Sequence, residues 1–163
     1  MNSARQIGSV DADDLARFDD LLSSFLDATE ARCALIVDRS GRLLTSAGDT
    51  GGFDQIAFAS LAAADFAASD QLASLLGEQE FAALYHHGPR HSMYLADLAG
   101  WAILAALFDG RTTLGMVRLK TRDLVPRFGA LFDQLAARGP AAGQIEVGWA
   151  ADAEHEIDRL FSD

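Results

Sequence analysis

The eight residues from Trp101 to Phe108 are apolar without a single polar interruption. The run is too short to cross a bilayer, which takes about 20 residues. It also lacks the alternation of a strand with one wet face. It therefore predicts a strand covered on both sides, in a sheet held between two other layers. A chain of 163 residues, half of them hydrophobic, has the material for this. A domain of that size buries roughly 70% of its unfolded surface, so stability requires neither disulfides nor a metal. The lone Cys33, inside the apolar stretch 33–37, reads as a small buried hydrophobe and not as a nucleophile.

Charge narrows the function classes. Twenty-four acidic and 13 basic residues give a net charge of −11, a field that repels phosphate backbones and anionic membrane surfaces. Nucleic-acid binding and membrane insertion are not expected. Residues 1–30 contain no apolar core of signal-peptide length, so a soluble, cytoplasmic protein is expected.

Hydrophobic spacing divides the chain into elements. Leu15, Phe18, Leu22, Phe25 and Leu26 recur every three or four residues, predicting an amphipathic helix from Ser9 to Thr29. Its start carries Asp11, Asp13 and Asp14, which suit the positive end of a helix dipole; its carboxylates read as a solvated face. Residues 34–38 and 42–46 flank the turn Asp38-Arg39-Ser40-Gly41 and read as a hairpin. The loop Gly48-Asp49-Thr50-Gly51-Gly52 lacks the Gly-Lys-Ser/Thr ending of a phosphate cradle and reads as a connector. A second helix follows over 54–76. Strands are predicted at 83–87, 92–97 and 101–108. A last helix begins at a cap on Thr112 or Thr113, with Met116-Val117-Arg118-Leu119-Lys120 readable alternatively as a strand that would delay its start, and Pro126 is expected to kink or restart it with Asp123 as a new cap.

The second helix is the informative one. Between Ile56 and Ser69 its only charge is Asp65. At about 100° per residue, Phe58, Leu61, Leu72 and Leu76 fall on one side, and Ser60, Ala63, Ala64, Ala67, Gln71 and Ser74 on the other. A surface helix ordinarily carries charge on its outer face. The expectation is therefore that the large residues face inward and that the small, uncharged side meets another polypeptide. Asp65, projected among the large residues, needs a hydrogen-bonding partner.

Catalytic signatures are missing. There is no Walker A loop, nucleophile elbow or dinucleotide fingerprint, and His86, His87 and His91 lack companions for a metal shell, since neighbouring strand residues point to opposite faces. No cofactor, metal or active site of its own is expected. Arg111, Arg118, Lys120, Arg122 and Arg127 form the main basic region, read as a solvated face or an acidic partner's contact. Gly139-Pro140-Ala141-Ala142-Gly143 reads as a linker. Past it lies an acidic segment with a short helical pattern, Ile157, Leu160 and Phe161, which is too short to be stable by itself.

The run Ala34-Leu35-Ile36-Val37-Asp38-Arg39-Ser40-Gly41, then Ala59-Ser60-Leu61-Ala62-Ala63, Leu75-Leu76-Gly77-Glu78, Met93-Tyr94-Leu95 and Leu114-Gly115-Met116-Val117-Arg118-Leu119 together resemble the roadblock/LC7 domain family. The residues from Glu156 to Asp163 are similar to the tail of its bacterial, GTPase-regulating branch. Two positions depart from the family pattern: Pro126, and Asp65 where a neutral Asn is expected. The resemblance implies an α/β sandwich of order α-β-β-α-β-β-β-α plus a short C-terminal helix. Its five-stranded antiparallel sheet carries the second helix on one face and the first and last on the other. It implies a domain over residues 1–137 and an acidic linker with a helical tail over 138–163. It further implies a homodimer that binds a small Ras-like GTPase in bacterial cell polarity or motility, concentrated at a cell pole. The branch activates GTP hydrolysis by stabilising the competent GTPase conformation, without an arginine finger. Ser60, Ala63, Ala64, Ala67, Gln71 and Ser74 would lie at the GTPase or dimer interface, and Ile157, Leu160 and Phe161 at a second partner contact. A scaffold that binds a GTPase or a larger assembly without accelerating hydrolysis is the alternative.

Overall fold

The computed structural model describes Ile7 and residues 9–138. Its elements follow in the order α1 (Ala12–Thr29), β1 (Cys33–Asp38), β2 (Leu43–Gly48), α2 (Gln55–Leu75), β3 (Ala83–His87), β4 (Ser92–Leu98), β5 (Ala102–Phe108) and α3 (Leu114–Ala137). The strands form one sheet in the order β2-β1-β5-β4-β3, and every neighbouring pair is antiparallel. The expected order of elements and the doubly covered sheet are both borne out. The linker and the tail residues Ile157, Leu160 and Phe161 lie outside the described residues.

Alternation along the strands makes two cores. Ala34 and Ile36 of β1 and Leu104 and Ala106 of β5 point to one face, where they meet Phe18, Leu22 and Phe25 of α1 and Phe128 and Phe132 of α3. The Phe18 ring lies 5.5 Å from that of Phe128 and 5.2 Å from that of Phe132, in tilted contacts that lock the two helices together. Cys33, Leu35 and Val37, with Leu95, Ile103 and Ala105, point to the other face and are covered by α2. The apolar strand β5 is thus buried on both sides, as its sequence demands.

Helix α1 begins in a capping box. The Asp11 carboxylate accepts from the Asp14 N–H, and the Asp14 carboxylate accepts from the Asp11 N–H. Asp14 departs from the expected solvated face: it is buried, and its second oxygen takes the Arg138 guanidinium from the end of α3. Asp13, Asp19, Asp20 and Asp27 are exposed.

Helix α3 is capped by Thr113, whose hydroxyl accepts from the Met116 N–H, and it runs unbroken through Pro126. The expected restart at Asp123 does not occur. A helix-interior proline forfeits one hydrogen bond and crowds the preceding turn, at a cost of about 3 kcal/mol. Here Arg122, whose carbonyl loses its helical partner, and Pro126 both lie on the exposed side of the helix. Leu124, Phe128 and Phe132 on the opposite side are anchored in the core and hold the helix together.

Candidate functional site

Asp54 caps α2 by accepting from the backbone N–H groups of Ile56 and Ala57, which fixes where the helix starts, and packing on the sheet sets its rotation. That rotation differs from the expected one. The face turned to the sheet carries Ala59, Ala62, Ala63, Phe66, Ser69 and Ala73, all buried, so Phe66 is the one large side chain of the helix that is fully buried in the layer, with Phe58 packed at its edge. Leu35, Val37, Leu95 and Ile103 from the sheet already fill that space, and methyl groups allow the helix backbone to come close. The turn Ser40-Gly41 also presses on α2: a Cβ on Gly41 would stand 3.1 Å from the Ser60 Cα, and its φ of +91° suits glycine alone.

Three of the four large residues expected inside, Leu61, Leu72 and Leu76, are outside, and Ile56 and Leu75 join them. Leu61 is 70% exposed, Leu72 58% and Leu75 83%, and Ile56 and Leu76 are exposed as well; Phe58 is half-buried against Phe53. Of the predicted interface residues, Ser60, Ala64, Ala67, Gln71 and Ser74 are exposed, whereas Ala63 is packed into the chain's own core. The outer face of α2 therefore combines the small stripe with a leucine flank. Ile56, Ala57, Ser60, Leu61, Ala64, Ala67, Ala68, Gln71, Leu72, Ser74 and Leu75 contribute no charge between them. Contiguous exposed apolar surface of this kind is uncommon on a monomeric domain and is typical of interaction faces in general.

Charged groups bound this face. Asp65 has a partner: its Oδ2 lies 2.7 Å from Nε2 of His86, so helix and edge strand β3 are tied at the rim of the leucine flank. On the sheet side, Arg39 leaves the β1–β2 turn and reaches across α2. Its guanidinium pairs with Asp97 of β4, stands 3.5 Å from Asp70 and lies 4.9 Å from the Phe66 ring centroid. This clamp joins three elements and escaped sequence reasoning, because Arg39 reads locally as a turn residue. An open depression of about 850 Å³ follows the end of α2, bounded by Ala67, Asp70, Gln71 and Ser74 and by residues 77–80.

Asp38, Cys33 and His87 serve structure. Asp38 sits at the base of the β1–β2 turn, where partial burial pushes its carboxyl pKa upward. Hydrogen bonds from Ser40 and Arg42 and the Arg42 charge outweigh that and hold it below the ordinary carboxylate range. Burial pushes the Cys33 thiol up to about 11, so it stays protonated and unreactive at neutral pH. His87 lies 3.1 Å from the Ser92 hydroxyl and also meets Tyr85. Among the described residues no group of His, Cys, Asp and Glu is arranged to hold a metal, and no helix is long and apolar enough to cross a membrane.

Comparison with known proteins agrees with this architecture. The roadblock/LC7 domain profile matches residues 17–108, more than half of the chain. MglB from Myxococcus xanthus is 31% identical and superposes with a TM-score of 0.73, over 78% of this chain and 96% of that one. The gliding protein MglB from Thermus thermophilus is 27% identical with a TM-score of 0.71, over 81% and 99%. A roadblock/LC7 domain from Streptomyces avermitilis, 14% identical with a TM-score of 0.62 over 69% and 94%, shares the fold. No curated protein is significantly similar in sequence. Sheet order, helix placement and profile match agree, and the chain belongs to the roadblock/LC7 domain family.

Proposed function

We propose that this protein regulates a small Ras-like GTPase of the MglA type, acting as a homodimer and as a GTPase-activating protein in bacterial cell polarity and motility. The observation that carries the reading is the uncharged outer face of α2 on a chain of net charge −11. Likeness to two MglB proteins supports the choice of partner. The leucine flank, beside edge strand β3, suits a second copy of the chain, and the small flank from Ser60 to Ser74 suits the GTPase. Ile157, Leu160 and Phe161 provide a further GTPase contact.

GTP hydrolysis needs an in-line water and neutralised phosphoryl charge. The α2 face offers no arginine for that purpose, and Arg39 beside it is committed to Asp97 and Asp70. Activation therefore works through preference for the GTPase conformation whose own groups are correctly placed. Each tenfold gain in rate needs about 1.4 kcal/mol of that preference.

The deciding experiment measures GTP turnover by the cognate GTPase, captured from the source organism, with and without this protein. Acceleration is expected; binding with an unchanged rate would reduce the protein to a scaffold, and absence of nucleotide-dependent binding would remove the reading altogether. For the homodimer, Leu61→Glu combined with Leu72→Glu inserts two carboxylates into the leucine flank, each costing several kcal/mol to desolvate without a partner. Light scattering at micromolar concentration should then give a monomer with an unchanged circular dichroism spectrum. A dimer that survives both changes would rule out pairing through this flank.

A further inference from the structure

The described domain has one place where basic side chains stand unanswered. Most of its arginines are engaged: Arg32 by Asp49, Arg39 by Asp97 and Asp70, Arg42 by Asp38, Arg111 by Asp109, and Arg138 by Asp11 and Asp14, while Arg17 donates to Gln134. Arg118, Lys120, Arg122 and Arg127 on α3 have no side-chain ion pair or hydrogen bond among the described residues; Arg90, on the β3–β4 turn, is the other such cation. Helical spacing sets Arg118 and Arg122 on one flank of the outer face of α3, and Lys120 and Arg127 on the other. Between the two flanks lie Met116 and Leu119, 40% and 50% exposed. Lys120 and Arg127 also border a groove of about 150 Å³ against Leu21 and Phe25 of α1, in which Asp123 is the one carboxylate. Space of that order accepts a benzene-sized group.

The complementary charge is in the sequence beyond the described residues. Residues 139–163 carry Glu146, Asp152, Glu154, Glu156, Asp158 and Asp163 against Arg159, with Ile157, Leu160 and Phe161 spaced for one face of a helix. The length is sufficient. Returning from Arg138 to the level of Leu119 takes roughly 28 Å along α3 at about 1.5 Å per residue. The 18 residues from 139 to 156 span up to roughly 60 Å when extended.

We propose that, in the free protein, the acidic tail docks on the α3 face of its own domain. Ile157, Leu160 and Phe161 meet Met116, Leu119 and the α1–α3 groove, and the tail carboxylates cover the four cations. The tail side chains assigned above to the GTPase are then held by the domain until a partner displaces them, which makes the tail a self-inhibitory contact. This surface lies on the opposite side of the sheet from α2, so the inference stands whether or not the GTPase reading holds.

The test uses the full chain and no GTPase. A spin label on Ser162→Cys is selective, because Cys33 is buried and its thiol stays protonated. In isotope-labelled protein at low salt, amide signals over 116–130 should lose most of their intensity. They should recover at about 1 M salt, where the screening length falls to about 3 Å. Recovery is also expected in a variant carrying Arg118→Glu, Lys120→Glu, Arg122→Glu and Arg127→Glu, checked by circular dichroism. Leu160→Ser with Phe161→Ser should restore the signals without touching the domain. Signal loss that spares α3, that falls instead on α2 and β3, or that persists after charge reversal overturns the proposal. Equal loss in a mixture of spin-labelled and isotope-labelled chains would move the tail to a second copy and overturn docking on its own domain.

Discussion

A Phe66→Ala variant is expected to be about 3–5 kcal/mol less stable than the parent, the range for truncating a fully buried phenylalanine. The expected loss belongs at the top of that range for a structural reason. On the α2 side of the sheet the other helix residues that are fully buried are Ala59, Ala62, Ala63, Ser69 and Ala73, too short to fill the hole, and Phe58 packs only at the edge of the layer, half-buried. The Arg39 guanidinium, 4.9 Å from the ring centroid, loses its aromatic support, and the clamp to Asp97 and Asp70 loosens with it. In a domain of this size the midpoint of thermal unfolding should fall by roughly 10 °C or more. Phe66→Leu should retain most of the stability. A loss below about 1 kcal/mol for the alanine variant in urea unfolding would mean that α2 is not seated on the sheet through this residue.

The same contrast between one large residue and many small ones explains what could be read beforehand. Phe18, Leu22 and Phe25 recur with a polar remainder, so the inward face of α1 was legible. The unbroken run in β5 announced two covering layers before any helix was assigned a side. Helix α2 is apolar nearly all round, and periodicity then gives the existence of the helix but not its rotation. Size suggested that Leu61 and Leu72 belong inside, whereas the close helix–sheet approach reserves the inside for alanine. Ser60, Ala64, Ala67, Gln71 and Ser74 were placed on the outer face, while their leucine neighbours and the burial of Ala63 were missed. The Arg39–Asp97 pair joins residues 58 positions apart, a contact that no local pattern encodes. Pro126 carried a correct local warning, and the packing of Phe128 and Phe132 overrode it.

Changing Ala67 to arginine should abolish activation of the partner GTPase while leaving the domain folded. Ala67 is exposed, lies within the small stripe between Ala64 and Gln71, and borders the depression at the end of α2. Nothing in the chain's own core touches this methyl group in the way it touches Ala63, so stability should change by no more than about 0.5 kcal/mol. A partner seated on the stripe, by contrast, would have to accommodate a long side chain and strip water from a guanidinium. Asp70, one turn along, already shares Arg39, and pairing with it would leave the added bulk over the stripe. Burying a charge so poorly matched costs several kcal/mol, and about 1.4 kcal/mol is already tenfold in affinity. Activation by this variant should therefore fall at least 100-fold in a GTP turnover assay, with circular dichroism and the unfolding midpoint unchanged. Ala67→Ser, which keeps the face small and uncharged, should activate normally. Full activity in the arginine variant would move the GTPase contact off α2, and equal loss in both variants would point to a defect in folding instead of one in docking.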